Sequence, residues 1–532
     1  MELEDKALSA SSALRYHRAA MRTVRLTRAL AVALSLAYLI QLVVLVSLRV
    51  QFPYSLEWME GAMIDHVQWV MDGNALYAEP TIRFTAFIYA PLFIYVAAGL
   101  TWLLGPGFLP LRLVSIAATL VSFAVIFDLA RRESRSVLAG VLAVGLFAAC
   151  FEISGSWLDI GRVDSLRLGF LLCAVWVMRT DRSPRAAVVS ALLFSLAALT
   201  KQSAVGVAAL MGVYFAWDRG FRPGLAYFAT LALGTGGGWL WLHLASEGWS
   251  TFYAWILPPA HGMFSVMLLG YWWMDLIVPL TPACAVAVWL IASSGLKARR
   301  ERGREVGEFL FWFLFLGATV ASGWSARLHF GGHTNVIMPA YAAIAVAWGV
   351  GVIRLAALAG VRGSALVYAG CAAQLAWLVF DPRPHVPTAE LRTANDELVR
   401  VIGSYPGEVF VPFHGYLPVM AGKRAYSHQM MLKDVLRSSR EAEKDILKAD
   451  IRRAVRQRQF DAVIIDNLVY TPKWLRRELR RTYDYQGYLF DEGIEAGPVI
   501  GTRYNPQLFL PREPAAGDGP RGEWTRSDGS DS

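Results

Sequence analysis

From residue 28 to residue 380 the chain is a succession of apolar blocks separated by short polar turns. An apolar block of about 20 residues satisfies its backbone in lipid only as an α-helix. The pattern predicts eleven transmembrane spans, at 28–48, 109–130, 137–153, 165–178, 186–199, 204–217, 225–245, 269–293, 306–323, 336–356 and 364–380. Composition agrees. Of the 532 residues, 55% are hydrophobic and 17% charged, against about 25% charged in a soluble domain. The expected fold class is therefore an all-α polytopic membrane protein with about 11 helices.

Basic residues orient it. Arg15, Arg18, Arg22, Arg25 and Arg28 precede the first span, and later clusters stand at Arg131, Arg179, Arg219, Lys297 and Arg354. All fall on one side if the apolar segment 86–105 lies flat at the interface rather than crossing. That layout predicts a cytoplasmic N-terminal tail, 1–27, and an outward-facing C-terminal region. The first apolar run is too long for a cleavable signal peptide. The net charge of +9 needs no nucleic acid, because these residues suit inner-leaflet anchoring. Cys150, Cys173, Cys284 and Cys371 all fall in expected spans, read as small apolar side chains with no disulfide and no CxxC metal spacing.

The chain changes character at Asp381-Pro382-Arg383-Pro384, which breaks the last helix. The expected division is a transmembrane domain, 28–380, containing a first outer loop, 51–108. A small α/β domain follows at 381–510, then a polar tail, 511–532, of disordered composition. In the α/β domain, 408–413 and 461–466 read as strands, and 388–402, 440–458 and 472–481 as helices. The stretch from His414 to Lys423 is expected to influence acceptor choice.

The first outer loop carries Glu57, Glu60, Asp65 and Asp72 among Trp58, Trp69, Tyr77 and Phe84, with Arg83 its only basic side chain over 51–85. Acids among aromatics beside lipid are costly without a role. The outer-face cations run against the positive-inside bias: Arg49, Arg83, Arg112, Arg162, Arg167, Lys201 and Arg327. A lipid phosphate is one reason to keep them there; snorkelling or pairing with an acid is the other. Asp159, Arg162 and Asp164 fall within six residues. His329 and His333 are four apart in a non-helical context, so a divalent metal is conceivable but not favoured. Hydrogen bonds from these histidines or Asn335 to sugar or phosphate are preferred.

Taken in order, Glu60-Gly61-Ala62, Asp72-Gly73-Asn74-Ala75-Leu76-Tyr77, Tyr89-Ala90-Pro91-Leu92-Phe93, Leu111-Arg112-Leu113-Val114-Ser115, Arg162-Val163-Asp164 and Leu199-Thr200-Lys201-Gln202 resemble the GT-C glycosyltransferases. The likeness is to the branch of bacterial protein O-mannosyltransferase relatives and lipid A aminoarabinose transferases, over about 26–356. Protein mannosyltransferases show Asp-Glu where this chain has Met59-Glu60. The resemblance implies a polyprenyl-phosphate-sugar donor and an extracytoplasmic acceptor; no cofactor is expected, because Arg or Lys can stabilise the leaving phosphate without a metal. It implies Glu60 as acceptor base with Glu57 as substitute, Asp164 in the same cavity, and Lys201 near the donor phosphate. Arg162, Arg327, Arg112, His329, His333, Asn335 and Tyr89 complete the expected substrate-binding set. A desolvated carboxylate suits a general base. A flippase of lipid-linked sugars, with a polar cavity and no chemistry, is the alternative. The absence of matching sequence halves weighs against it.

Overall fold

The computed structural model describes residues 2–513 apart from 302, 303, 467, 469 and 470, with side chains of 2–16 and 304 left aside. Most of the expected tail, from 514 on, lies outside the described residues. The chain forms two units: Met1–Gln51, Tyr89–Ala245 and His261–Val386 make one, and Phe52–Ile88, Ser246–Ala260 and Pro387–Ser532 the other.

The first unit is helical. Among described residues, five helices are long and apolar enough to cross a membrane: His17–Arg49, Phe108–Ser134, Met267–Glu301, Glu305–Arg327 and Thr334–Leu358. Shorter apolar helices include Leu92–Leu104, Val137–Ala149 and Ala186–Thr200. Met338–Leu358 is the centre of the bundle. Its run of Ala and Gly lets neighbours approach closely: a Cβ added at Gly349 would sit 2.3 Å from the Ala139 carbonyl oxygen.

Two expected spans are interrupted. The block 225–245 becomes Phe221–Leu231, a π-helical turn Ala232–Gly237 and Gly238–Ala245. The glycines Gly234, Gly236, Gly237 and Gly238 weaken the regular ladder there. Gly234 also meets Ser195 so closely that a Cβ would lie 2.6 Å from its hydroxyl, which makes this run a packing device. The block 269–293 likewise contains a π-helical stretch, Tyr271–Ile277, before Val278–Glu301 with Pro282 inside. Within 86–105 the helix Leu92–Leu104 has 13 residues; at 1.5 Å each that is about 20 Å, short of the roughly 30 Å a span needs.

The second unit contains a four-stranded sheet ordered β1-β2-β4-β3, with β1 Glu408–Phe410, β2 Phe460–Ile465, β3 Tyr483–Tyr488 and β4 Gln507–Pro511. β1 and β2 are parallel; β4 runs antiparallel to both its neighbours. Helices Ala389–Ser404, Gln429–Arg437, Glu441–Arg456 and Lys473–Thr482 accompany it. The sequence reading found β1 and β2 but neither β3 nor β4.

Residues 52–88 of the first outer loop group with this unit, and 89–108 with the first. Val499 N–H donates to Ser55 O at 3.2 Å and Ile500 N–H to Leu56 O at 2.8 Å, so Glu57 and Ile500 form an isolated parallel bridge. Ser427 N–H donates to Ile82 O at 2.8 Å, and Ile82 N–H donates to Asp450 Oδ2 at 2.8 Å. Gly61 lies under the Tyr416 ring, where a Cβ would stand 2.2 Å from Cδ1.

Candidate active site

In the first unit the charges converge on Asp164. Arg162 is extended at φ −134°, and the helix Val163–Thr180 starts directly after it. Asp164 therefore stands in a first turn, where the helix dipole favours an anion. Lys201 closes Ala186–Thr200 and sends Nζ to Asp164 Oδ1 at 2.8 Å. Asn335, in the turn Thr334–Ile337, donates Nδ2–H to Asp164 Oδ2 at 2.8 Å. Arg167, one turn along, stands 3.9 Å from Oδ1 and donates to Ser203 Oγ at 2.7 Å. Asp164 is 0% exposed and Arg167 1%.

A second ring of contacts surrounds Tyr89. Arg162 donates to its hydroxyl at 3.1 Å, and Lys201 Nζ lies 5.3 Å from the ring centroid. The Arg162 guanidinium is also 5.5 Å from the Trp157 ring. Five expected residues, Asp164, Lys201, Arg162, Tyr89 and Asn335, thus form one polar cluster.

Behind it stands a buried frame. Arg49 Nε pairs with Asp159 at 3.0 Å, and Arg49 donates to Ser156 O at 3.1 Å. Arg112, 0% exposed, donates to Arg49 O at 3.1 Å. Ser115 donates to Arg162 O at 3.3 Å and Thr119 to Leu158 O at 2.5 Å. These bonds fix the turn that presents Arg162; Arg112 contributes to backbone carbonyls.

Arg327 and His329 occupy other surroundings, while His333 borders the cluster across Trp157. Arg327 pairs with Asp275 at 2.7 Å, inside the π-helical stretch. His329 bridges to Met263, and the His333 ring lies 5.6 Å from Trp157. The sequence reading missed Asp275, because its Trp-rich context reads as span, and Arg167 as a partner of Asp164. The four-residue i, i+3 spacing of Asp164 and Arg167 was the available signal.

The second unit holds the loop carboxylates. Glu60 is 0% exposed, and its Oε2 accepts Leu56 N–H at 2.6 Å, tying the helix Glu60–Met71 to the preceding turn. Glu57 is 4% exposed. Asp65 has both carboxyl oxygens buried without a hydrogen-bond partner, and this burial pushes it up to about 8. His66 is held neutral: Nδ1–H donates to Ala62 O at 2.7 Å, Nε2 accepts Phe87 N–H at 3.0 Å, and burial lowers it to about 4. Among described residues no three His, Cys, Asp or Glu are grouped to hold a metal.

The crystal structure of ArnT from Cupriavidus metallidurans bound to undecaprenyl phosphate superposes with a TM-score of 0.52 at 13% identity, covering 89% of this chain and 97% of that one. Its apo state gives 0.53, with the same identity and coverage. The chain shares the fold of that protein. Residues 89–235 match the family model for dolichyl-phosphate-mannose-protein mannosyltransferase. That segment begins at Tyr89 and includes Arg162, Asp164, Arg167 and Lys201. The apo oligosaccharyltransferase of Archaeoglobus fulgidus aligns at 11% identity and a TM-score of 0.47, covering 81% of this chain and 69% of that one. No curated protein matches by sequence.

Proposed function

We propose that the chain is an integral membrane glycosyltransferase. It moves a sugar from a polyprenyl-phosphate donor to an extracytoplasmic acceptor hydroxyl on a glycan, lipid or protein. One observation carries this reading: Lys201, Arg162 and Arg167 gather around a single carboxylate, Asp164. The cluster brings three cations to one carboxylate. The donor is a phosphodiester with one negative charge; the departing phosphate monoester carries about −1.5 to −2. The cluster therefore favours the leaving group over the donor, the differential that accelerates a reaction.

In the proposed step the bond between the anomeric carbon and the phosphate oxygen breaks, and its electrons go to the phosphate. The acceptor oxygen forms the new bond and surrenders its proton to a carboxylate. Attack opposite the phosphate inverts the anomeric centre in one displacement. Lys201 and Arg162 hold the phosphate, with Tyr89 and Asn335 orienting them. Glu60 is the assigned base and Glu57 its rival. Asp164, saturated by Lys201 and Asn335, organises the cations. Charge in this scheme comes from side chains, so no cofactor is invoked.

The matched family model, by its description, concerns transferases of dolichyl-phosphate mannose, and the ArnT structure holds undecaprenyl phosphate. Both support a lipid-phosphate donor. We assign the N-terminus to the cytoplasm and the region after residue 380 to the outside. The test is incubation of detergent-purified protein with a panel of polyprenyl-phosphate sugars. Release of polyprenyl phosphate with sugar transfer is expected. No release across the panel, with movement of lipid-linked sugar in sealed vesicles, overturns catalysis in favour of a flippase.

A further inference from the structure

The second unit carries a concentration of charge that the transfer reading leaves unused. Segments 450–458 and 473–481 hold eight arginines and one lysine against two acids, Asp450 and Glu478, which is +7 of the chain's formal +9. In the helix Lys473–Thr482, Leu475 and Leu479 are buried. At 3.6 residues per turn, Lys473, Arg476, Arg477, Arg480 and Arg481 occupy the opposite side in a stripe about 140° wide.

The charges are organised, not merely solvated. Glu478, its side chain 7% exposed, draws in Arg456 at 2.9 Å, Arg481 at 3.6 Å and Arg452 at 3.8 Å, while these arginines stay 57%, 60% and 44% exposed. The Arg452 guanidinium lies 5.6 Å from the Trp474 ring centroid. One buried acid thus ties two helices and fans three guanidinium groups outward. The N-terminal part of Glu441–Arg456 is the internal control: there Lys444 meets Glu441 and Lys448 meets Asp445, the alternating pattern of a plain solvated helix.

We propose that this face docks on the phosphate headgroups of anionic phospholipid. The occupant follows from chemistry and attachment. Arginine forks match phosphate oxygens, Trp474 is a residue type favoured at bilayer interfaces, and the chain's own spans keep a bilayer at high effective concentration. Like charges crowded on one face repel; an anionic surface relieves that repulsion. The inference stands independently of the transfer reading, since its readout is contact with lipid.

The test uses the full chain in nanodiscs of phosphatidylcholine, alone or mixed with phosphatidylglycerol carrying a photoactivatable headgroup. Adducts are mapped by mass spectrometry. The expected result is adduct formation on residues 452–458 and 473–481 that falls at least ~10-fold in R476Q/R477Q/R480Q/R481Q and with added salt. A milder K473Q/R477Q variant guards against misfolding and should fall part-way. Adducts confined to the basic loops between spans, or equal yields in wild type and variants, overturn the proposal. So does capture of inorganic polyphosphate by this face with no lipid adduct on it.

Discussion

The two units bury ionisable groups in opposite ways. Around Asp164 every charge has a counter-charge or a hydrogen bond: Lys201 and Asn335 on its two oxygens, Arg167 beside it. In the outer-loop helix, Asp65 has neither oxygen hydrogen-bonded. Arg83 pulls its titration down, but burial outweighs this. The first arrangement holds its charges by mutual pairing. The second keeps its place by staying protonated. A donor site needs the former, because a phosphate must find cations already in position.

The largest expected effect tests the loop. Glu60→Gln retains an oxygen to accept Leu56 N–H, so the turn should survive. If Glu60 is the base, kcat falls by on the order of 10²–10⁴-fold. Near-normal turnover, with Glu57→Gln inactive, transfers the role to Glu57.

The next test breaks the paired region. Asp164→Asn leaves Lys201, Arg162 and Arg167 without their anion, and removing one partner of a buried pair costs about 3–5 kcal/mol. Thermal unfolding in detergent should show it, with partial recovery in Asp164→Asn/Lys201→Met. An unchanged midpoint would mean the cluster is not a charge network. Lys201→Gln or Arg162→Gln alone should leave the fold intact and raise the donor KM roughly 10-fold; unchanged donor kinetics in both would separate these residues from the phosphate.

The smallest effect sharpens the unpaired region. Asp65 has a folded-state value near 8 and an unfolded one of about 3.9. Its neutral form is accommodated, so stability is fully present below about 3.9 and drains away as pH rises through 8. His66 acts in the other sense. Its folded value of about 4 against 6.5 gives stability that is present above 6.5 and lost as pH falls through 4. Of these two groups, only Asp65 contributes a slope between pH 6.5 and 8. Asp65→Asn should flatten the melting temperature over that window and raise it at pH 8.5; a parallel curve for wild type and variant would show that Asp65 is already ionised.

Much of the polar cluster around Asp164 was legible because ionisable residues in apolar surroundings are conspicuous. Arg162, Asp164 and Lys201 stand out from the blocks around them, and Asn335 and Tyr89 were expected substrate contacts. Asp275 was hidden, since one acid amid Tyr271, Trp272 and Trp273 reads as the end of a span. β3 was hidden too. Tyr483–Tyr488 reads as a polar, aromatic stretch, and its pairing with β4 is supplied by tertiary context. The grouping of the outer loop with the C-terminal residues rests on backbone bonds such as Ile500 N–H to Leu56 O, which carry no side-chain signature.

The bridge between Glu57 and Ile500 has a consequence for timing during synthesis. The loop that carries the candidate bases leaves the ribosome early, but the strand-like segment that pins it emerges near the end. At 5–20 residues per second the delay is roughly 20–90 seconds. Until then the Ser55 and Leu56 carbonyls lack their Val499 and Ile500 donors, so a nascent chain, or one truncated before Val499, holds its acidic loop less tightly fastened. Synthesis past Ile500 is thereby a condition for assembling that loop.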